Sequence, residues 1–336
     1  MEASARGHFK VLTVPPILGM MVIVLVIVAL PFFAGIFWMR LVAEFAIMAL
    51  YALAYNLVLG QTGMFSFGHG GLYGFAAYAL AVPVIRGLVP LPLAFIAAPI
   101  LTAAIACFIG WFCLRLTLGI YFSILTLAFS QLIWAAIWKF RHITGGDDGI
   151  TGLQAPSYLA SPVNQYFFII AVVIISVVMI WRLINSPLGF TFKAIRENNP
   201  RAAFTGINVN RYKLAAFTLS GLFTGVAGAL YAFFSRGAFV EFASVQKSFD
   251  PVFAAIFGGM YTFGGPIIGA GFMLALHHFI ARFTEYWPMI AGTILIFAAV
   301  FLPEGVVGAV QSLIKRFLKN GRQGESIVAR GLMQRR

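Results

Sequence analysis

Long apolar runs separated by short polar stretches dominate the chain. All of the runs except two are compatible with the ~20 residues that a helix needs to cross the hydrocarbon core of a membrane. The exceptions, 249–260 and 266–281, are predicted to be two short, tilted or partly broken segments. The pattern therefore predicts an all-α integral membrane protein with about ten transmembrane segments, at residues 14–33, 41–59, 65–85, 91–114, 118–138, 164–184, 214–234, 249–260, 266–281 and 287–302.

Composition supports this interpretation. Of the 336 residues, 61% are hydrophobic and 10% are charged, whereas soluble domains carry about 25% charged residues. These values exclude a soluble enzyme, a disordered chain and a disulfide scaffold. Cys107 and Cys113 lie in one apolar run, so we expect two buried thiols rather than a disulfide or a zinc site.

The distribution of basic residues predicts the topology. With a cytoplasmic N-terminus and ten crossings, 16 of the 23 Lys and Arg residues lie inside, as the positive-inside rule requires. Nine crossings would place the basic tail outside. We therefore expect both termini in the cytoplasm, a single transmembrane domain over residues 1–312 with a cytoplasmic loop at about 185–213, and a basic cytoplasmic tail at 313–336.

The sequence contains no chemistry that would drive or catalyse a reaction. No G-x-x-x-x-G-K-[ST] motif occurs, so any ATP must be hydrolysed by another subunit. Carboxylates in the apolar runs are few, with Glu44 and Asp250 near span ends, which argues against a proton relay. His277 and His278 lack a carboxylate or Cys at metal spacing. We predict no enzyme site, no metal and no cofactor in this chain.

A glycine-rich stretch at residues 56–74 joins two of the predicted spans. Glycines one turn apart let helices approach closely, and four polar side chains lie at the same boundary. Two interpretations remain open: helix packing around a capped turn, or the lining of a substrate pathway or gate. The candidate pathway residues are Gln61, Thr62, Ser66 and His69.

A second glycine-rich stretch lies on the predicted outer face. It is too short for an EF-hand loop, which also needs a distal Glu. It is either a tight turn, or a contact for an external partner or for access to the pathway. Its residues are Thr144, Gly145, Gly146, Asp147 and Asp148.

The cytoplasmic loop contains the signals of a short helix. Asn198 or Asn199 can cap it, Pro200 suits its first turn, and Gly206 suits its C-terminal end. A capped helix among basic residues would fit a groove in a partner protein. The alternative is a lipid-facing connector.

The fourth motif comprises residues 256–270, where glycine pairs interrupt two short apolar segments. Interrupted helices place free backbone groups inside transporters. The alternative is a tight helical hairpin.

In this order, these elements resemble the LivM-type permease family of branched-chain amino acid ABC importers. The resemblance covers about residues 50–275, and the motifs are specific together but weak individually. It rests on Gly60-Gln-Thr-Gly63 with Ser66-Phe-Gly-His69, Gly119-Ile-Tyr-Phe-Ser-Ile-Leu-Thr-Leu-Ala128, Thr144-Gly-Gly-Asp-Asp-Gly149, the loop Arg196–Lys213, and Gly258-Gly-Met with Gly264-Gly-Pro.

The resemblance implies an ABC importer of the bacterial cytoplasmic (inner) membrane. Its other members would be a LivH-like second permease, two cytoplasmic ATPases that bind ATP and Mg, and an extracytoplasmic substrate-binding protein. The segment 194–206 would be the coupling helix, although Asn199, Pro200 or Arg201 replaces the acidic residue usual in the family. The candidate coupling residues are Arg196, Glu197, Arg201, Ala202, Ala203 and Gly206.

The substrate is the least determined feature. Leucine, isoleucine and valine are the family's usual cargo, while related permeases carry urea, other amino acids or small organic acids. Two other classes of function also remain open from the residues alone. One is a secondary carrier driven by an ion gradient, and the other is a structural membrane-anchoring subunit.

Overall fold

The structure, a computed structural model, describes residues 31, 35–116, 119–280, 286–301 and 305–309. Within these residues the chain is almost entirely helical. The twelve helices described are α1 Ile36–Thr62, α2 His69–Ile85, α3 Leu91–Leu116, α4 Ile120–Lys139, α5 Arg141–Thr144, α6 Pro162–Ile184, α7 Pro187–Glu197, α8 Asn199–Phe204, α9 Val209–Ser235, α10 Val245–Gly258, α11 Gly265–Ile280 and α12 Trp287–Phe301.

Nine of the ten predicted spans coincide with helices of the described residues. The predicted first span, 14–33, lies almost entirely outside them, and the basic tail at 313–336 lies wholly outside. Five of the described helices, α1, α3, α4, α6 and α9, are long and apolar enough to cross a membrane, and α2 and α11 are shorter apolar helices. The prediction of a helical protein is therefore confirmed, with five helices of membrane-spanning length among the described residues.

The core lies where α9 packs against α1, α2 and α3. Small residues make this contact close. A Cβ atom added to Gly225 would lie 2.8 Å from Pro99 Cα of α3, and one added to Gly228 would collide with the Tyr73 carbonyl of α2. Because transmembrane helices associate through packing rather than through the hydrophobic effect, such glycines stabilise the bundle.

The bundle has two distinct ends. At one, which we call the loop end, α7 lies against the end of α1, and α8 lies against α7 and α9. At the other, the turn end, strand β1 (Ile150–Thr151) pairs antiparallel with β2 (Gly237–Ala238), with Ile150 opposite Ala238. The predicted alternation of spans places residues 60–64, 185–213 and 261–265 on one side, and the structure brings these stretches together at the loop end.

The helical structure is broken at both glycine-rich stretches, between α1 and α2 and between α10 and α11. Residues 63–68 between α1 and α2 are not helical, and Gly63, which follows the last residue of α1, has φ 72°, a left-handed conformation that favours glycine. Residues 259–264 separate α10 from α11, so the predicted pair of short segments at 249–281 is confirmed.

Candidate functional site: the coupling segment and the α1–α2 break

The segment 194–206, predicted to be one coupling helix, spans the end of α7 and the short helix α8, which the extended residue Asn198 separates. We call residues 187–206 the coupling segment after that prediction. Asn198 Oδ1 accepts a hydrogen bond from the Arg201 backbone N–H at 2.9 Å, which caps α8, and Pro200 occupies the first turn. At the other end Gly206 N–H donates to Ala203 O and Ile207 N–H to Ala202 O. These two bonds form a Schellman motif with Gly206, at φ 86°, in the left-handed position. The predicted capped helix is therefore confirmed.

The coupling segment presents most of its candidate residues to the outside. Glu197, Arg201, Ala203 and Gly206 are exposed, while Ala202 is buried against the bundle. Phe204, which no pattern in the sequence singles out, has a side chain that is 91% exposed at the end of α8. An exposed aromatic side chain on a rigid, capped helix is typical of an anchor that fills a partner's pocket.

Arg196 differs from the other coupling candidates because it points into the bundle. Its Nη1 donates a hydrogen bond to the Gly60 carbonyl near the end of α1, and its guanidinium lies 5.0 Å from the centre of the Tyr261 ring. The Cγ of Arg196 also lies against Gly63, where an added Cβ would approach it to 3.1 Å. One side chain thus joins α7 to both helix interruptions.

The break between α1 and α2 is held by a line of hydroxyl groups on α4. Ser123 Oγ donates to Phe65 O at 2.8 Å, Thr126 Oγ1 accepts from Phe67 N–H at 3.2 Å, and Ser130 Oγ accepts from Gly71 N–H at 2.8 Å. Spacings of three and four residues place these hydroxyls on one face of α4. They could have been found in the sequence from that spacing inside an apolar helix.

The N-terminus of α2 is buried, so its free N–H groups need partners inside the protein. Gly68 N–H donates to Ser66 Oγ at 3.2 Å, and Gly70 N–H donates to Ser248 Oγ of α10 at 3.0 Å. Together with Ser130, these hydroxyls replace the water that would cap an exposed helix. The break is therefore a fixed part of the packed bundle.

His69, the first residue of α2, is fully buried. Its Nε2 lies 2.8 Å from Ser220 Oγ of α9, and Ser220 Oγ donates to Ala54 O of α1 at 2.6 Å. Because the serine has one hydroxyl proton and Ala54 O accepts it, His69 Nε2 must carry the proton donated to Ser220. His69 thus ties three helices together.

All four pathway candidates, Gln61, Thr62, Ser66 and His69, are buried among the helices, and the Thr62 hydroxyl donates to Val58 O. Thr62 lines a cavity of about 780 Å³ at the loop end, between the α1–α2 break and the coupling segment. The cavity is also lined by Gly63, Phe65, Ser123, Arg196, Pro200, Asn210 and Lys213.

The predicted outer-face turn lies at the turn end, at the opposite end of the bundle from Arg196. Thr144 Oγ1 donates to Ile137 O at 2.6 Å, and Gly145 and Gly146 have φ values of 76° and 63°. Asp147 and Asp148 are exposed in a single turn of 3₁₀ helix. The turn is rigid and presents two carboxylates.

The comparisons with known proteins agree with this architecture. The family model described as "Branched-chain amino acid transport system / permease component" matches residues 37–299. The high-affinity branched-chain amino acid transport system permease protein LivM of Salmonella typhimurium is 28% identical, with 92% of this chain and 78% of that protein covered. LivH of the same organism is 25% identical, with 77% and 91% covered.

A relative named for a different substrate is also similar. The autoinducer 2 import system permease protein LsrC of Salmonella paratyphi B is 26% identical over 55% of this chain and 52% of its own length. No solved structure matches the chain. The family match covers most of the sequence and both interrupted helix pairs. The chain therefore belongs to the branched-chain amino acid transport permease family, as a multi-pass membrane subunit of an ABC transport system and not itself an enzyme.

Proposed function

We propose that this chain is the LivM-like permease of an ATP-driven importer for leucine, isoleucine and valine. It pairs with a LivH-like permease, two cytoplasmic ATPases that bind ATP and Mg, and an extracytoplasmic binding protein. It crosses the bacterial inner membrane ten times within residues 1–312, with both termini and the tail 313–336 in the cytoplasm. The similarity to LivM and LivH supports the assignment.

The observation that carries the mechanism is the contact of Arg196 with Gly60 and Tyr261. The exposed face made by Glu197 at the end of α7 and by Arg201, Ala203 and Phe204 of α8 docks on the ATPase. Closure of the ATPase dimer displaces α8, and Arg196 transmits the displacement to the ends of α1 and α10. Since the α1–α2 break lies beside these ends, the loop-end cavity opens or closes with the ATPase.

The remaining candidate residues have separate parts in this mechanism. Thr62 lines the inner part of the pathway, whereas a direct pathway role for Gln61, Ser66 and His69 stays a prediction. Asp147 and Asp148, on the turn of residues 144–148, face the binding protein. Ala202 and Gly206 fix the shape of α8 against the bundle.

The test is reconstitution of the four-component complex in liposomes. With the binding protein present, we expect ATP-dependent uptake of radiolabelled leucine and stimulation of ATP hydrolysis. A hydrolysis-deficient ATPase is the control and abolishes both. Urea and autoinducer 2 serve as competing solutes, because relatives of the family differ in cargo. Uptake by the purified chain alone under an ion gradient would instead establish a secondary carrier.

A further inference from the structure

A second cavity, of about 240 Å³, lies between α1, α9, α10 and α11, closer to the turn end. Neither the coupling mechanism nor any of the predicted pathway residues uses it. It is smaller than the ~300–1,000 Å³ of pockets for drug-sized ligands, so it suits a small solute. Its polar lining includes Glu44, Tyr51, Tyr231, Lys247 and Asp250.

Lys247 is the central group of this cavity. Its Nζ lies 3.0 Å from Asp250 Oδ2, and 5.2 and 5.3 Å from the ring centres of Tyr73 and Tyr231. The side chain is 12% exposed. Its backbone is also fixed, because the Tyr51 hydroxyl donates to Lys247 O at 2.9 Å. The structure therefore holds one ammonium group in place at the cavity wall.

Carboxylates lie beside this ammonium group. Asp250 pairs with Lys247, and Glu44 Oε2 lies 3.4 Å from His278 Nε2 with its side chain 19% exposed. Glu241 is exposed and also lines the cavity. Ionisable side chains among membrane-spanning helices are costly and are typical of substrate or ion pathways. This cavity brings both signs of charge together.

Another part of the cavity wall is apolar. It contributes aliphatic and thioether groups beside the charged ones, and the Met48 sulfur lies 3.4 Å from Lys247 Nζ. The apolar residues are Met48, Ala52, Ala254, Ala270, Met273 and Leu274. A ligand with a positive group, a negative group and a compact aliphatic part would complement this lining.

We propose that this cavity is a transient binding site for the zwitterion of an aliphatic α-amino acid. The α-carboxylate binds Lys247 Nζ, the α-ammonium group binds Glu44 and Asp250, and the aliphatic side chain packs on the apolar wall. The inference rests on the proposed function, and it locates the substrate on the turn-end side of the α1–α2 break before it reaches the loop-end cavity.

The test measures leucine uptake and ATP hydrolysis in the reconstituted complex for Lys247→Met and Glu44→Gln. Loss of one charged hydrogen bond lowers uptake about 10- to 100-fold, while ATP hydrolysis stimulated by the binding protein stays at the unmodified level. Lys139→Met, at the exposed end of α4, is the matched control and leaves both unchanged. Uptake within twofold of the unmodified complex in both cavity variants overturns the proposal.

A charge-swapped variant, Lys247→Asp with Asp250→Lys, separates substrate binding from a structural ion pair. The swap keeps the pair but moves the ammonium group, so we expect the complex to assemble and leucine uptake to stay low. Recovery of uptake would show that the pair is only structural. If Lys247→Met does not assemble, the isosteric Glu44→Gln decides. Failure of the unmodified complex to import leucine refutes the proposed function instead.

Discussion

Arg196 of the coupling segment donates a hydrogen bond to the backbone carbonyl of Gly60, 136 residues earlier in the chain. The acceptor lies within α1 close to its end, beside Gly63 where the chain leaves the helix. A carbonyl in the last turn of a helix lacks an intrahelical partner, so a cationic donor there is favourable. The contact makes the end of α1 sensitive to the position of α7.

Replacement of Arg196 by Met is expected to uncouple ATP hydrolysis from uptake. The variant lacks the donor to Gly60 and the cation over Tyr261, so ATPase movement is no longer transmitted to α1. A charged hydrogen bond contributes ~1.5–3 kcal/mol, and we expect leucine imported per ATP to fall about 10-fold or more. The measurement is the ratio of the two initial rates in liposomes.

Arg211→Met is the matched control for this prediction. Arg211 is exposed and basic, and it lies in the first turn of α9, beyond the coupling segment. Its replacement should leave leucine imported per ATP unchanged. A normal ratio in an assembled Arg196→Met complex would contradict the proposed transmission.

Gly206→Val is expected to uncouple the transporter through backbone strain. Gly206 has φ 86° with no atom near its missing Cβ, so the cost is conformational, and left-handed geometry costs an L-residue ~1–2 kcal/mol. Valine therefore disrupts the Schellman motif that ends α8. We expect reduced leucine uptake with the two permeases still assembled.

Gly87→Val is the matched control, because it introduces the same backbone strain outside the coupling segment. Gly87 has φ 69° and also has no atom within 4 Å of an added Cβ, but it lies between α2 and α3. Gly87→Val should lower the free energy of unfolding by a similar amount and leave the amount of leucine imported per ATP unchanged. Equal loss of coupling in both variants would show that the effect of Gly206→Val is general destabilisation.

The sequence predicted the helices and both ends of α8, because hydrophobic runs and caps are local signals. It did not predict which polar residues meet. His69 contacts Ser220 across 151 residues and Ser130 contacts Gly71 across 59, and no local pattern encodes such pairs. The glycine-rich stretch therefore permitted two interpretations, and all four of its polar side chains are buried, with Thr62 also lining the loop-end cavity.

The cavity around Lys247 illustrates a second limit. Glu44 and Asp250 were recognised in the sequence as rare carboxylates, but Lys247 was not singled out. Glu44 and Lys247 come together because α10 packs against α1. The missing signal was the rarity of any charge within apolar helices, which applies to the ammonium group as well as to the carboxylates.

Gly74→Ala is expected to destabilise the bundle. An added Cβ would lie 2.5 Å from Ala243 Cβ and 2.7 Å from the Ala243 backbone, and overpacking of this kind costs ~1–3 kcal/mol. Gly292→Ala is the control, because no atom lies within 4 Å of its added Cβ and alanine favours helix over glycine. Thermal unfolding in detergent should show a lower midpoint for the first variant only. Equal unfolding midpoints for Gly74→Ala and the unmodified protein would show that α2 can move away from residues 240–243.

The buried pair of His69 and Ser220 is expected to stabilise the fold rather than to bind substrate. His69→Ala removes the donor to Ser220, and a double-mutant cycle with Ser220→Ala should give a coupling energy of about 1 kcal/mol in the free energy of unfolding. A cycle of His69→Ala with Ser176→Ala should be additive, because Ser176 Oγ bonds Val172 O within α6. The unfolding of purified protein in increasing denaturing detergent measures both cycles. If His69→Ala abolishes leucine uptake while the free energy of unfolding and the assembly stay unchanged, His69 contacts the substrate, and the pathway interpretation of residues 61–69 replaces the packing one.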